Sequence, residues 1–221
     1  MKIVNFKSEE IVSPFAPEWD YYLAEMNIEG IDFESIARLI LQKEKEIVGK
    51  YPPSNKGSVD AYTGLGSDSL SSRYESFNLF SWDDPEIKKL FEIVKNGHSL
   101  FLEAFSVPKT KVWIQCWANV LRDGQDIKPH IHSTHKYCYL GGHITVQCND
   151  TSTVYINPIN TLNDPQQYFS KNVVGQFTIF QNNIPHYTTP HHGDKERISI
   201  AFDIIMDEDI NKPNNVILLE E

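Results

Sequence analysis

Cysteine is scarce in this chain of 221 residues: Cys116, Cys138 and Cys148 are odd in number and form no CxxC pair. That argues against a disulfide framework and a cysteine-rich zinc site, and it favours a reducing compartment. Cationic residues are outnumbered by acids, 20 to 30, for a net charge of −10. General nucleic-acid binding needs a cationic footprint for phosphates, so duplex nucleic acid is the least favoured partner. Long apolar runs are also missing. None approaches the roughly 20 residues that span a bilayer, and "MKIVNFKSEEIVSPF" carries no apolar signal-peptide core. These absences predict a cytoplasmic protein with no membrane partner. The Gly- and Ser-rich stretch at 57–73 lacks the GK[ST] ending of a phosphate-cradling loop and reads as an ordered surface loop.

The length suits one domain, 1–221, with a core large enough to need no staples. Residues 1–108 read as a helical and loop-rich flank. In "IDFESIARLILQKEKEIVGKYPP", Asp32 can cap, Ile36, Leu39, Ile40, Ile47 and Val48 form a stripe, and Pro52 stops the helix. In "WDDPEIKKLFEIVKNGHSLFLEAF", Asp84 can cap and Pro85 fits the first turn, and the helix either ends at Gly97 or continues to Phe105. From Lys111 the texture changes to short β-branched and aromatic runs separated by Gly, Pro, Asn and Asp. No βαβ alternation is present, which excludes a doubly wound parallel sheet. The fold expected is mainly β with an α flank: a jelly roll over 109–206, with the N-terminal helices packed on one face. The tail, 207–221, is a final strand or a loose end.

Histidine is unevenly placed. Seven of the eight lie between His130 and His192. In "GQDIKPHIH", His130 and His132 would project together from a strand, with Ile131 turned away. Alone, such a pair is as readily a surface feature as half a metal site. Further on, His186 follows the run "GQFTIFQNN", and "RIS" brings Arg197 and Ser199 onto one face with Ile198 on the other. Reflecting the register about a hairpin tip at His192-Gly193 sets Arg197 roughly opposite His186. A guanidinium there suits a bidentate grip on a carboxylate, or a salt bridge to Asp194 or Glu196.

Taken together, the HxH, the distal histidine and the RxS resemble the 2-oxoglutarate/Fe(II)-dependent dioxygenase family. The resemblance extends through "NVLRDGQDIKPHIH", "YLGGHITV", "STVYINP", "GQFTIFQNNIPH" and "RISIAF", about residues 111–206. It is closest to the microbial and phage-type branch with an HxH first motif. It implies a double-stranded β-helix scaffold with His130, His132 and His186 holding Fe(II). Arg197 and Ser199 would anchor the distal carboxylate of 2-oxoglutarate, with Thr145, or next His143, as a further polar contact. With O2, such a site would hydroxylate a substrate and release succinate and CO2. The substrate classes favoured are a small molecule or a protein side chain; the oligomeric state is open. Most of the family has HxD, so His132 replaces a carboxylate. Asp126 could supply one instead, and His135 could replace a ligand.

The same nine residues also satisfy the opening of the cupin signature: a glycine, five residues, then HxH. A three-histidine cupin-type enzyme would not use 2-oxoglutarate. The signature's following glutamate is missing, where the chain has His135 and Lys136, and it assigns Arg197 no role. A non-catalytic jelly-roll binding module is the other alternative.

Overall fold

The computed structural model describes residues 1–54, 63–158 and 166–221. In chain order they form β1 (Lys2–Lys7), β2 (Asp20–Asn27), α1 (Phe33–Lys50), α2 (Pro85–Ala104), β3 (Val112–Leu121), β4 (Ile127–His130), β5 (Leu140–Gln147), β6 (Ser152–Ile156), β7 (Gln167–Lys171), β8 (Gln176–Gln181), β9 (His186–Thr188), β10 (Arg197–Met206) and β11 (Ile217–Glu220), with 3-10 turns at Ser71–Arg73 and Leu79–Ser81. From β3 to β10 the chain alternates between two sheets, broken only by the β6–β7 hairpin, and β11 then returns to the larger sheet. A larger sheet runs β1-β2-β8-β5-β10-β3-β11 and a smaller one β4-β9-β6-β7. Every pairing is antiparallel. This is the jelly-roll weave of a double-stranded β-helix.

The helices form where their caps and stripes predict. Asp32 accepts from the Ser35 amide and Asp84 from those of Glu86 and Ile87, satisfying donors that a helix start leaves orphaned. Both helices pack on the outer face of the larger sheet. Strand alternation sends Ile114, Cys116, Ala118 and Val120 of β3, Ile144 and Val146 of β5, and Ile198, Ile200, Phe202 and Ile204 of β10 to that face, all into one buried cluster with α1 and α2. At roughly 1.5–3 kcal/mol for each buried large aliphatic or aromatic side chain, this face carries most of the hydrophobic stabilisation. The inner faces of the two sheets are left to enclose the site.

Three sequence expectations are corrected here. The first hundred residues also hold strands: β1 pairs with β2, and β2 adds to the larger sheet beside β8. Their polar, weakly alternating sequences hid an edge position where only one residue in β1, Phe6, is buried. Next, 57–62 of the Gly/Ser stretch lie outside the described residues, but Ser69 to Arg73 are buried rather than superficial. Arg73 donates to the carbonyls of Tyr51 and Ser69, and the serine hydroxyls bond one another and nearby carbonyls, so their polar atoms are satisfied without water. Finally, β9 and β10 are not a hairpin. β9 pairs with β4 and β6, while β10 pairs with β3 and β5. His186 and Arg197 therefore face each other from opposite sheets.

Gly97 does not end α2. A Cβ on it would lie 2.3 Å from Cε1 of the fully buried Phe177 on β8, so the glycine lets helix and sheet approach. Gly97→Ala should gain up to ~1 kcal/mol of helix propensity and lose about 1–3 kcal/mol to overpacking. The expected outcome is a net destabilisation, read as a lower urea midpoint. A raised midpoint would show that the Phe177 ring moves aside freely.

Candidate metal and cosubstrate site

The smaller sheet supplies the histidines. His130 ends β4 and sits in register with His186, the first residue of β9. A bulge in β4 and the exit of the chain after His130 carry His132 over the site, where its amide donates to the Asn182 carbonyl. One ligand-capable atom from each of His130, His132 and His186 lies within 4.8 Å of the others. The ring centroids are 4.5 to 5.4 Å apart.

Each imidazole uses Nδ1 on the protein. Nδ1 of His130 is 2.8 Å from the Lys128 carbonyl, and that of His186 is 2.9 Å from the Ile184 carbonyl. A carbonyl can only accept, so both Nδ1 atoms carry hydrogen and Nε2 keeps its lone pair. Nδ1 of His132 bonds the Asp203 carboxylate, which fixes the same tautomer. The three imidazoles each turn Nδ1 to the protein, which leaves Nε2 as the donor for a first-row divalent metal. Loss of hydration on burial holds His130 down at about 4, with His132 adding to the shift, and lowers His186 well below the ordinary value. Protons therefore do not compete with a metal for either imidazole at neutral pH. The residues present fit a metal ion.

The larger sheet supplies the opposite wall. Arg197, Ser199, Ala201 and Asp203 all line one cavity of about 180 Å³ with the three histidines. Register places Ser199 between Thr145 and Asn119, and Ala201 between His143 and Trp117. Arg197 is 1% exposed, has no carboxylate within 4.0 Å among the described residues, and donates through one terminal nitrogen to Ser199 Oγ at 3.4 Å. Burial lowers its guanidinium to about 10, still charged at neutral pH. Its Nε, Thr145 Oγ1, Thr178 Oγ1, His143 Nδ1, Asn119 Oδ1 and Trp117 Nε1 are buried without hydrogen-bond partners. Orphaned polar groups are costly in a native interior. The donors among them, the Arg197 guanidinium and the threonine hydroxyls, suit an anion with several acceptor oxygens, whereas Asn119 Oδ1 can only accept.

Of the other residues singled out in the sequence, Asp126 is paired with Lys128 and His135 lies 3.5 Å from Asp209, both outside the histidine cluster. Thr145 is fully buried on the inner face beside Ser199, one step back from the cavity wall that His143 lines. His143 bonds the Tyr155 hydroxyl at 3.1 Å. Trp117 lines the cavity, whereas Trp113 points away and donates to Asp207. Asp203 was missed. Its signal was in the sequence: it continues the same i, i+2 alternation as Arg197, Ser199 and Ala201.

Residues 115–203 match the family model described as "Putative 2OG-Fe(II) oxygenase". The match covers the strand-rich part of the chain, about two fifths of its length. Oxygenases of that family use Fe(II), 2-oxoglutarate and O2. A comparison with functionally curated proteins finds no match. Among solved structures, the chain resembles a prolyl-4-hydroxylase of Pseudomonas putida at 12% identity and TM-score 0.51, over 83% of this chain and 92% of that one. It also resembles AviO1 of Streptomyces viridochromogenes at 10% identity and TM-score 0.55, over 86% and 92%. A prolyl hydroxylase of Trichoplax adhaerens, in complex with a hypoxia-inducible-factor peptide fragment, aligns at 12% identity and TM-score 0.54, over 84% of each chain. At these identities the structural likeness establishes the shared double-stranded β-helix. No helix among the described residues is long and apolar enough to cross a membrane.

The depressed histidines make the metal-free protein acid-sensitive. Burial lowers His143 to about 3, with Arg197 and His132 contributing, and lowers His98, in α2, to about 4. Below about 6.5 the unfolded chain takes up protons that these folded sites refuse. Stability is therefore full above that value and is lost as pH falls towards 4. Urea midpoints of the metal-free protein should hold between pH 7 and 8 and decline from 6.5 to 4.5, and His143→Gln should reduce the slope. A flat profile would contradict the buried, neutral assignment.

Proposed function

We propose that the chain is a 2-oxoglutarate- and Fe(II)-dependent hydroxylase in which His130, His132 and His186 hold the iron. Arg197 and Ser199 grip the distal carboxylate of 2-oxoglutarate, and Thr145 offers a further hydrogen bond. The observation that carries this reading is the pairing, across one cavity, of three Nε2 lone pairs with a buried guanidinium that has no acid of its own. Iron bound there supplies an oxidation in which one atom of O2 enters succinate as CO2 leaves, and the other becomes a hydroxyl on a substrate carbon.

The chain's own residues do the rest. The Nδ1 anchors keep the imidazoles oriented and neutral before any ligand arrives, so little ordering remains to be done on binding. Arg197 gives the cosubstrate a single direction, because only the end bearing the distal carboxylate meets the guanidinium. The helix-covered sheet excludes water from the deep end. The mouth is edged by Tyr74 and the half-exposed Ile131, and a small molecule or a protein side chain is the substrate class we assign to it. Hydroxylation within the cell follows from the reducing character of the cysteine pattern.

The test is succinate formation from 2-oxoglutarate with Fe(II) and ascorbate, since turnover uncoupled from the prime substrate is detectable in such enzymes. Arg197→Ala should weaken 2-oxoglutarate binding by roughly 10- to 100-fold, while changing metal affinity by a few-fold at most. His186→Ala should abolish tight metal binding. Equal loss of metal and cosubstrate in the arginine variant would make Arg197 structural, and unchanged metal affinity without His186 would sink the triad.

A further inference from the structure

We propose that Asp203 is a positioning residue for the metal centre, supplying through His132 the negative charge that an aspartate ligand would place directly on the metal. The inference rests on the reading of His132 as a ligand and explains how the site works with imidazole at that position. Asp203 is the only carboxylate among the described residues that line the cavity. Its single ion-pair partner among the described residues is His132. The other two histidines are anchored by main-chain carbonyls, which carry no net charge. Charge is thus delivered behind one ligand alone, the one that replaces a carboxylate. A carboxylate accepting from Nδ1–H fixes the ring and increases the donor strength of Nε2.

Gly141 clears the space for this contact. It stands opposite Asp203 in the β5–β10 register. A Cβ on it would lie 3.1 Å from His132 Nδ1, 3.2 Å from Asp203 Oδ1 and 2.5 Å from Asn182 Oδ1. Any larger residue would wedge between the imidazole and its carboxylate. Gly142, next along the strand, is small for a different reason: a Cβ there would meet the Phe202 ring and the Thr178 carbonyl. A structural role for the His132–Asp203 pair, as a simple link between the sheets, would need neither a free Nε2 nor a carboxylate rather than an amide.

The experiment titrates Co(II) alone into metal-free protein and follows its visible absorption, with no turnover required. Asp203→Asn keeps shape and one acceptor oxygen while removing the charge, and should weaken Co(II) binding by roughly 10- to 100-fold. Gly141→Ala keeps both groups and displaces them, and should weaken it in the same direction. In a His132→Asp background, where the charge sits on the ligand itself, Asp203→Asn should cost nothing or improve binding. Circular dichroism confirms that each variant is folded. Wild-type affinity in folded Asp203→Asn, or an equal loss in both backgrounds, would overturn the role of Asp203 while leaving the metal site intact. If the wild type binds no Co(II), or binds it equally well after His186→Ala, the metal reading itself falls and this inference falls with it.

Discussion

Burial of the outward side chains of β3, β5 and β10 against α1 and α2 lets the same strands present incompletely satisfied polar groups on their other face. A strand has a period of two, so every second residue can serve stability while the intervening ones serve chemistry. Orphaned atoms on Arg197, Thr145, Thr178, His143, Asn119 and Trp117 each cost the fold something of order 1–3 kcal/mol. A small β-sandwich without a covering layer could not carry that load. The helices of the N-terminal half are therefore part of the site, although they contribute no residue to its wall.

The electrostatics of the cavity run against those of the chain. A protein with net charge −10 keeps one guanidinium almost wholly buried among neutral imidazoles and hydroxyls. Its charge persists because even after desolvation it titrates at about 10. A buried cation without a partner is a standing cost, and in the proposed function a carboxylate of the cosubstrate would relieve it. The low exposure of the Arg197 end makes each such interaction stronger than it would be in water.

Much of this was legible in the sequence because it depends on local rules. The HxH, the alternation that separates Arg197 and Ser199 from Ile198, the caps at Asp32 and Asp84, and the strand runs after Lys111 all follow from spacing and residue type. What the sequence concealed depends on which sheet a strand joins. The Pro- and Gly-bearing segment between His186 and Arg197 looks like a hairpin, but the jelly-roll weave sends its two ends to different sheets. β1 was hidden because an edge strand buries too few side chains to leave a clear alternation, and β2 beside it buries only the consecutive pair Leu23 and Ala24. Asp203 was readable by period, but its partner was not: no spacing links residue 132 to residue 203.

That long-range link also bears on why histidine can stand where most of the family has aspartate. An aspartate at position 132, just beyond β4, would carry its charge on the side of the smaller sheet. With His132 in its place, the ring turns its Nδ1 to Asp203 on β10, and in the proposed site its Nε2 would serve the metal. The carboxylate has in effect moved to the strand that carries Arg197 and Ser199. In the proposed site the orientation of His132 then depends on its contact with Asp203, and Gly141 leaves room for that contact. A site built this way would give up tolerance: any change that moves β10 away from His132 would also withdraw the charge behind the ligand.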